Sequence, residues 1–307
     1  MKHVPVLLTE VLEGLQIKKD GNYIDCTLGD GGHSYEILKK NAPNGKLLGI
    51  DADPESLLRA KHVLNEYKGR AVFARSNFER ITEVVAEHEF VQIDGILADL
   101  GWSSPQFVER GRGFSFTQEE DLLDMRYAGH VSERKTAADI INSYTVAELA
   151  TLFKKYGEEP QAKIIASVIG EKRKEKYIET VGELSEIILG VYRKKLKTEK
   201  KVPWIGGLHP STKVFQALRI EVNEELGVIE KLLEQGIKLL APNGRFAIIS
   251  FHSIEDRIVK HFFRGLEIAG QGKVITKKPI VATYKETKQN KRSTSAKLRI
   301  FEKKINN

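Results

Sequence analysis

Asn22-Tyr23-Ile24-Asp25-Cys26-Thr27-Leu28-Gly29-Asp30-Gly31-Gly32-His33-Ser34 sets a short strand pattern against a run of glycines. Residues 22–27 predict a strand, and a helix is predicted over 35–40. Glycines between the two let the backbone turn sharply and come close to a ligand, and the helix N-terminus behind them presents free N–H groups. Strand, glycine turn and helix in that order open many nucleotide-binding sheets. The dinucleotide fingerprint G-x-G-x-x-G, started at Gly29, requires glycine at position 34, and Ser34 stands there instead.

The same alternation continues outward. Residues 46–51 (KLLGID) and 95–100 (GILADL) predict further strands, with a weaker one over 71–74. Between them, Leu57, Leu58, Ala60, Val63 and Leu64 recur at helical spacing, and Pro54 suits the first turn of that helix. Strands alternating with helices predict a parallel sheet covered on both faces. From about residue 116 to 201 only helical patterns occur; Thr145-x-x-Glu148 and Thr180-x-x-Glu183 have the form of capping boxes. A long helix is then expected from a Ser211 cap through Val214, Leu218, Val222, Leu226, Ile229, Leu233, Ile237 and Leu240, stopped by Pro242 and Gly244. A buried strand over 245–251, a helix opened by Ser253-x-x-Asp256 and an antiparallel strand over 297–302 restore the α/β pattern. The expected architecture is an α/β, Rossmann-like sheet with an inserted all-helical domain. Its parts are a sheet domain over 1–112, the insertion over 113–205 and the rest of the sheet domain over 206–307.

Two strand ends carry acids suited to a cofactor. Asp51 closes the second strand, where a carboxylate can accept hydrogen bonds from both ribose hydroxyls. Asp53 lies beside it but precedes Pro54 and suits the cap of the next helix. Together the glycine turn and Asp51 point to an adenosine-containing cofactor without choosing among such ligands.

The third acid opens Asp99-Leu100-Gly101-Trp102-Ser103-Ser104-Pro105-Gln106. A nucleobase amine is conjugated with its ring and barely basic, so its methylation needs acceptors that hold its N–H bonds and take up developing positive charge. Asp99 and Gln106 offer such acceptors, and Trp102 could stack on an extruded base or simply fill the core. Cys26, without a paired His and Asp, reads as an inert thiol. His33, His252 and His261 show no metal-ligand spacing, so no metal is expected, and His252 at a strand–helix junction suits a structural or a site role. Glu158 and Glu159 read as solvated or capping.

Charge is concentrated at the C-terminal end. The whole chain carries a net +7, whereas residues 273–304 hold eleven Lys and Arg against two Glu, a net of +9. A local excess of that size suits a polyanion, since each phosphate contact releases counterions, although a solvated tail has the same composition. Hydrophobic residues make up 41% and charged residues 30%, a balance that supports a packed core. No apolar run suits a membrane span, no signal-peptide pattern opens the chain, and one cysteine cannot form an internal disulfide, so a cytoplasmic protein is expected.

Taken in order, HVPVLLTEVL, YIDCTLGDGGHS, GIDADP, GILADLGWSSPQ, RGFSF, LDMR, YGEE, HPSTKVFQALRIEVNEEL, ISFHSIEDRIVK and SAKLRIFE resemble the ribosomal RNA small subunit methyltransferase H family almost end to end. The resemblance implies a class I S-adenosylmethionine-dependent methyltransferase that modifies N4 of a decoding-centre cytidine in 16S rRNA within the small ribosomal subunit. It implies that S-adenosylmethionine is held by Gly31, Gly32, His33, Asp51, Phe78, Asp99 and Gln106, with Phe78 flanking the adenine. Asp99, Ser103 and Ser104 would then serve the catalytic edge, where this family lacks the Pro-Pro-aromatic tetrapeptide of other amino-methyltransferases. Trp102 replaces the smaller aliphatic residue usual there. RNA contacts are expected from Trp102, Lys288, Lys291, Arg292 and Lys297. A homodimer stays open, and the alternatives are a non-catalytic RNA-binding assembly factor on the same fold and a nicotinamide-dependent oxidoreductase, against which Ser34 counts.

Overall fold

The computed structural model describes residues 5–100, 111–127, 133–200 and 202–304. The chain divides into two compact units: an α/β unit of Met1–Gly101 with Leu226–Asn307, and a helical unit of Trp102–Glu225.

The α/β unit begins with α1 (Leu8–Leu15), β1 (Asn22–Asp25), α2 (Gly32–Lys40), β2 (Leu47–Asp51), α3 (Pro54–Val63), β3 (Ala71–Arg75), α4 (Ile81–Glu87) and β4 (Ile93–Asp99). β1, β2 and β4 are almost wholly buried, which is why their sequences read as short apolar runs rather than alternating ones. Gly49 sits where β2 passes Leu28 closely; a Cβ there would lie 2.7 Å from a Leu28 methyl.

The helical unit contains α5 (Ala137–Ser143), α6 (Val146–Gly157), α7 (Ala162–Glu175), α8 (Val181–Leu196) and α9 (Thr212–Asn223). Reciprocal capping boxes start α6 and α8 at Thr145 and Thr180, as their sequences predict. A third, Thr136 with Asp139, starts α5; its acid is Asp rather than the Glu or Gln of the usual pattern. Phe153, Ile165, Ile169, Leu184, Ile188, Val214 and Leu218 share one buried core. Because Val214, Phe215 and Leu218 of α9 belong to it, residues 206–225, grouped by sequence with the returning sheet domain, lie in the helical unit. Glu159 is also inside, not solvated: it is 3% exposed and accepts the Tyr192 hydroxyl at 2.6 Å and the Gln161 amide at 2.7 Å.

The chain then forms α10 (Glu225–Leu239), β5 (Leu240–Ser250), α11 (Ser253–Ile268), β6 (Gly272–Val274), β7 (Ile280–Val281), α12 (Tyr284–Gln289) and β8 (Lys297–Lys303). The single long helix expected from Ser211 is two, broken at Glu224, whose φ of 52° is left-handed. The apolar stripe runs through the break in helical register, so periodicity does not reveal it. Ser211 precedes α9 but makes no side-chain capping bond. α11 starts one residue earlier than its sequence suggests, with His252 as cap and Glu255 completing the box; His252 thus has a structural role.

Strand order is β3-β2-β1-β4-β5-β8-β6, with β7 paired to β8. β1 to β5 are parallel, β8 is antiparallel to β5, and β6 and β7 each pair antiparallel with β8. Chain order reverses between β1 and β4, and crevices at such switch points, outside the carboxyl ends of the strands, are where α/β sheets bind ligands. Val11, Leu12 and Leu15 of α1 and Ile37 and Leu38 of α2 pack with Leu97, Ile249, Leu298 and Ile300 of the sheet. Each such side chain, fully buried, adds about 1.5–3 kcal/mol. No helix among the described residues is long and apolar enough to cross a membrane.

Candidate active site

Asp25, Asp51 and Asp99 are the last residues of β1, β2 and β4. The parallel register brings these three neighbouring ends to one rim of the sheet. The turn after β1 joins them. Gly29 and Gly31 take φ of 52° and 82°, conformations that L side chains adopt with strain, and Gly31 leads directly into α2. The Gly29 amide donates to Asp51 Oδ2 at 2.8 Å and the Asp53 amide to Asp51 Oδ1 at 2.8 Å. Each Asp51 oxygen therefore has acceptor capacity left for a ligand hydroxyl. Asp53 caps α3, its Oδ1 accepting the Glu55 amide at 3.1 Å.

Asp25 is buried and held from several sides. Ser34 donates its hydroxyl to Asp25 Oδ2 at 2.7 Å, and the Thr27 amide donates to Oδ1 at 3.1 Å. Where a dinucleotide-binding turn would have glycine, this chain thus places a hydroxyl that fixes the acid of β1. Thr27 Oγ1 also accepts the Asp99 amide at 2.7 Å, which ties the end of β4 to the end of β1. His33 Nε2 lies 2.9 Å from the Val6 carbonyl, so the ring N–H donates there and α2 is fastened to the segment before α1.

Burial pushes all three carboxyls above the usual carboxylate range. For Asp25 this is opposed first by the charge of His33 and then by the Ser34 hydroxyl. For Asp51 it is opposed by the Asp53 and Gly29 amides. For Asp99 it is opposed by His33 and Arg292, while Asp25 and Glu255 add to it. Asp99 Oδ1 is buried with no hydrogen-bond partner among the described residues, an uncommon state for a carboxylate oxygen. Acids crowded along a desolvated rim, one with an unused acceptor, suit a cationic ligand bearing N–H and hydroxyl donors. The residues present therefore fit a cationic adenosine derivative. The Cys26 thiol between them is buried and pushed well above its usual range, in keeping with an inert thiol.

Phe78 begins a 3-10 turn just after β3 and is 5% exposed. The Ser76 amide donates to the Asp51 carbonyl at 3.1 Å, so this turn leaves the sheet beside Asp51. Gly32 approaches the N-terminal segment so closely that a Cβ would lie 2.5 Å from Pro5 Cγ. Trp102, Ser103, Ser104 and Gln106 lie outside the described residues.

In the basic segment, the Lys288 ammonium sits 4.7 Å from the Tyr284 ring centroid, and the Arg292 guanidinium 5.9 Å from that of Phe251. Lys291 is exposed, and Lys297 opens β8 opposite Ser250. Not all of the segment's charge is free for a partner: Arg299 is 5% exposed and pairs with both oxygens of Asp256 at 2.6 and 3.0 Å. Lys303 donates to the carbonyls of Lys238 and Leu240 at 3.2 and 2.6 Å, and burial lowers its pKa.

A parallel sheet with a glycine turn and carboxylates along one rim suits an adenosine-containing ligand, and comparison with known proteins identifies the class as a methyltransferase. The chain belongs to the MraW methylase family, whose model matches residues 1–304. The ribosomal RNA small subunit methyltransferase H of Clostridioides difficile (strain 630) is 45% identical over 316 residues, covering 98% of each chain. The protein of that name from Clostridium botulinum (strain Loch Maree / Type A3) is 44% identical over 317 residues, covering 98% of this chain and 99% of its own. Among solved structures, a SAM-dependent O-methyltransferase from Thermotoga maritima aligns with a TM-score of 0.43 at 9% identity, over 100% of this chain and 69% of its own.

Proposed function

We propose that this methyltransferase moves a methyl group from S-adenosylmethionine to N4 of a cytidine in the decoding centre, at the P site, of 16S rRNA, acting in the cytoplasm on small ribosomal subunits. The observation that carries this reading is the rim of Asp25, Asp51 and Asp99, with Asp99 Oδ1 buried and without a hydrogen-bond partner among the described residues. When bound, S-adenosylmethionine supplies an electrophilic methyl on a cationic sulfur. Gly31, Gly32 and His33 shape the turn against it, Asp51 accepts from its ribose and Phe78 flanks its adenine, with Gln106 a further contact. The amine-facing role falls to Asp99: its carboxylate accepts an amine N–H, orients the nitrogen lone pair and offsets the charge that grows on nitrogen. In acyl transfer, removing one preorganised hydrogen-bonding partner of developing charge costs about 2.7–4 kcal/mol, which sets the scale for such a group. The amine proton leaves to Asp99 or to water. Ser103 and Ser104 complete that edge, Trp102 stacks on the base, and Lys288, Lys291, Arg292 and Lys297 meet phosphates.

The test is transfer of label from methyl-labelled S-adenosylmethionine to small subunits taken from a strain lacking the enzyme, followed by mass-spectrometric mapping of nucleosides. N4-methylated cytidine at a single decoding-centre position is expected. Absence of label from cytidine would refute the reading, and donor binding without any transfer would favour a non-catalytic RNA-binding factor.

A further inference from the structure

Residues 202–209, Val-Pro-Trp-Ile-Gly-Gly-Leu-His, form a tight hairpin within the helical unit. Ile205 and Leu208 exchange both backbone hydrogen bonds, at 2.8 and 3.1 Å. Gly206 and Gly207 turn the chain with φ of 59° and 80°, the two successive positive values of a type I′ hairpin. The base of the hairpin is fixed. Val202 is buried, the His209 ring stacks on Phe116 at 4.4 Å with the planes 4° apart, and Phe116 meets Phe215 edge-on.

On this anchored frame Trp204 stands out in solvent. Its ring meets His209 edge-on at 6.4 Å, and 64% of the residue is exposed. Ile205 and Leu208 beside it are 41% and 44% exposed. A flat ring held outward at the base of a tight hairpin loses little further freedom when a partner covers it.

The chain just before the hairpin is strongly basic. Residues 193–201 hold Arg193, Lys194, Lys195, Lys197, Lys200 and Lys201 against Glu199 alone, a net of +5. Three residues lie between Lys200 and Trp204, so their Cα atoms lie within about 14 Å and one bound strand can reach both. The partner that suits this surface is therefore anionic and offers flat π-faces. A second copy of the chain would bring two +5 runs together and be repelled. Duplex RNA keeps its bases stacked and offers phosphate without faces, whereas unpaired RNA offers both.

We infer that Trp204 is a stacking platform for an unpaired stretch of RNA, with the exposed Lys194, Lys195, Lys197 and Lys200 gripping the adjoining phosphates. The inference rests on the rRNA reading above and adds to it a contact on the helical unit, apart from the basic C-terminal segment.

The experiment uses the full chain with Trp102→Phe, which leaves Trp204 as the only indole, titrated with a single-stranded oligoribonucleotide, with the same strand made abasic, and with phosphatidylglycerol vesicles. The intact strand is expected to quench the indole, while the abasic strand should bind without quenching. In the otherwise unaltered chain Trp204→Ala should raise the oligonucleotide Kd about tenfold and Trp204→Phe should restore part of it, in line with stacking on a single base. On small subunits Trp204→Ala should raise KM and leave kcat in place. No quenching together with an unchanged Kd would overturn the inference. So would a blue shift with vesicles alone, which would mean a lipid surface, or a self-association abolished by Trp204→Ala. If the chain methylates no small subunits yet RNA still quenches Trp204, the rRNA reading fails and the platform stands.

Discussion

The amide of Gly29 donates to Asp51 Oδ2 at 2.8 Å, so the acid read as the ribose acceptor is also what holds the glycine turn in shape. Asp51→Ala removes both functions. S-adenosylmethionine affinity should fall by about 1–3 kcal/mol, the scale of removing charge-assisted hydrogen bonds. Asp51→Asn keeps an acceptor for the Gly29 amide and should lose less. Calorimetric titration of the two variants checks this, and equal affinities for wild type and Asp51→Ala would remove Asp51 from the cofactor site.

Ser34 makes a second separable prediction. Its hydroxyl satisfies a buried carboxylate at 2.7 Å. Ser34→Ala leaves Asp25 with one donor fewer in a desolvated place, and stability in urea should fall by about 1–3 kcal/mol. Ser34→Gly restores the spacing of the dinucleotide fingerprint. It should suffer that loss and up to about 1 kcal/mol more, because position 34 lies within α2, and gain no NAD binding, because the spacing without the rest of that site does not make one. Tight NAD binding by Ser34→Gly would show that the turn alone decides the ligand.

The raised carboxyls predict how pH acts. Asp25, Asp51 and Asp99 each titrate above their ordinary value of 3.8 in the folded chain. The native state therefore holds protons that the unfolded chain has already released, so these groups favour folding less as pH rises from 3.8 through their folded values. A cationic ligand favours their charged forms. S-adenosylmethionine binding should release protons in that window and strengthen as pH rises through it. Calorimetry in two buffers of different ionisation enthalpy measures the release, with Asp99→Asn as the comparison. Asp99→Asn should release fewer protons and lower kcat by about 10²-fold, the scale of removing one preorganised electrostatic partner. Proton release identical in the two proteins would take Asp99 out of the ligand's reach.

These residues also mark what the sequence made legible. The parallel strands could be read because burial on both faces leaves short apolar runs, and Asp51 and Asp99 because each ends such a run. Thr145 and Thr180 could be read because a capping box is a local contract between residues three apart. What stayed hidden depends on partners distant in sequence. Thr27 draws its role from the Asp99 amide, seventy-two positions on, and Glu159 is buried only because Tyr192 reaches it. β6 and β7 are three and two residues long, too short to show a period, and exist because β8 offers them an edge. Glu224 breaks a helix whose apolar stripe continues unbroken, so nothing periodic announces it.

The basic C-terminal segment contains two kinds of cation, and they should respond differently to mutation. Lys288 and Lys291 are exposed, and Arg292 lies over Phe251 with part of its surface open. Neutralising these three should weaken RNA binding and flatten its dependence on salt, by about 0.7 in the log–log slope for each single-strand phosphate left without its cation. The fold should hold. Arg299 carries the same charge but spends it on both oxygens of Asp256 while 5% exposed. Arg299→Ala strands a carboxylate inside the protein and should destabilise it by about 3–5 kcal/mol. Replacing Asp256 and Arg299 together by apolar residues should recover much of that loss, since the stranded charge goes with its partner. Urea melts and filter binding across a salt series separate the two classes. If the triple variant keeps the wild-type salt slope, the exposed lysines are a solvated surface, and the phosphate contacts must be sought elsewhere in the chain.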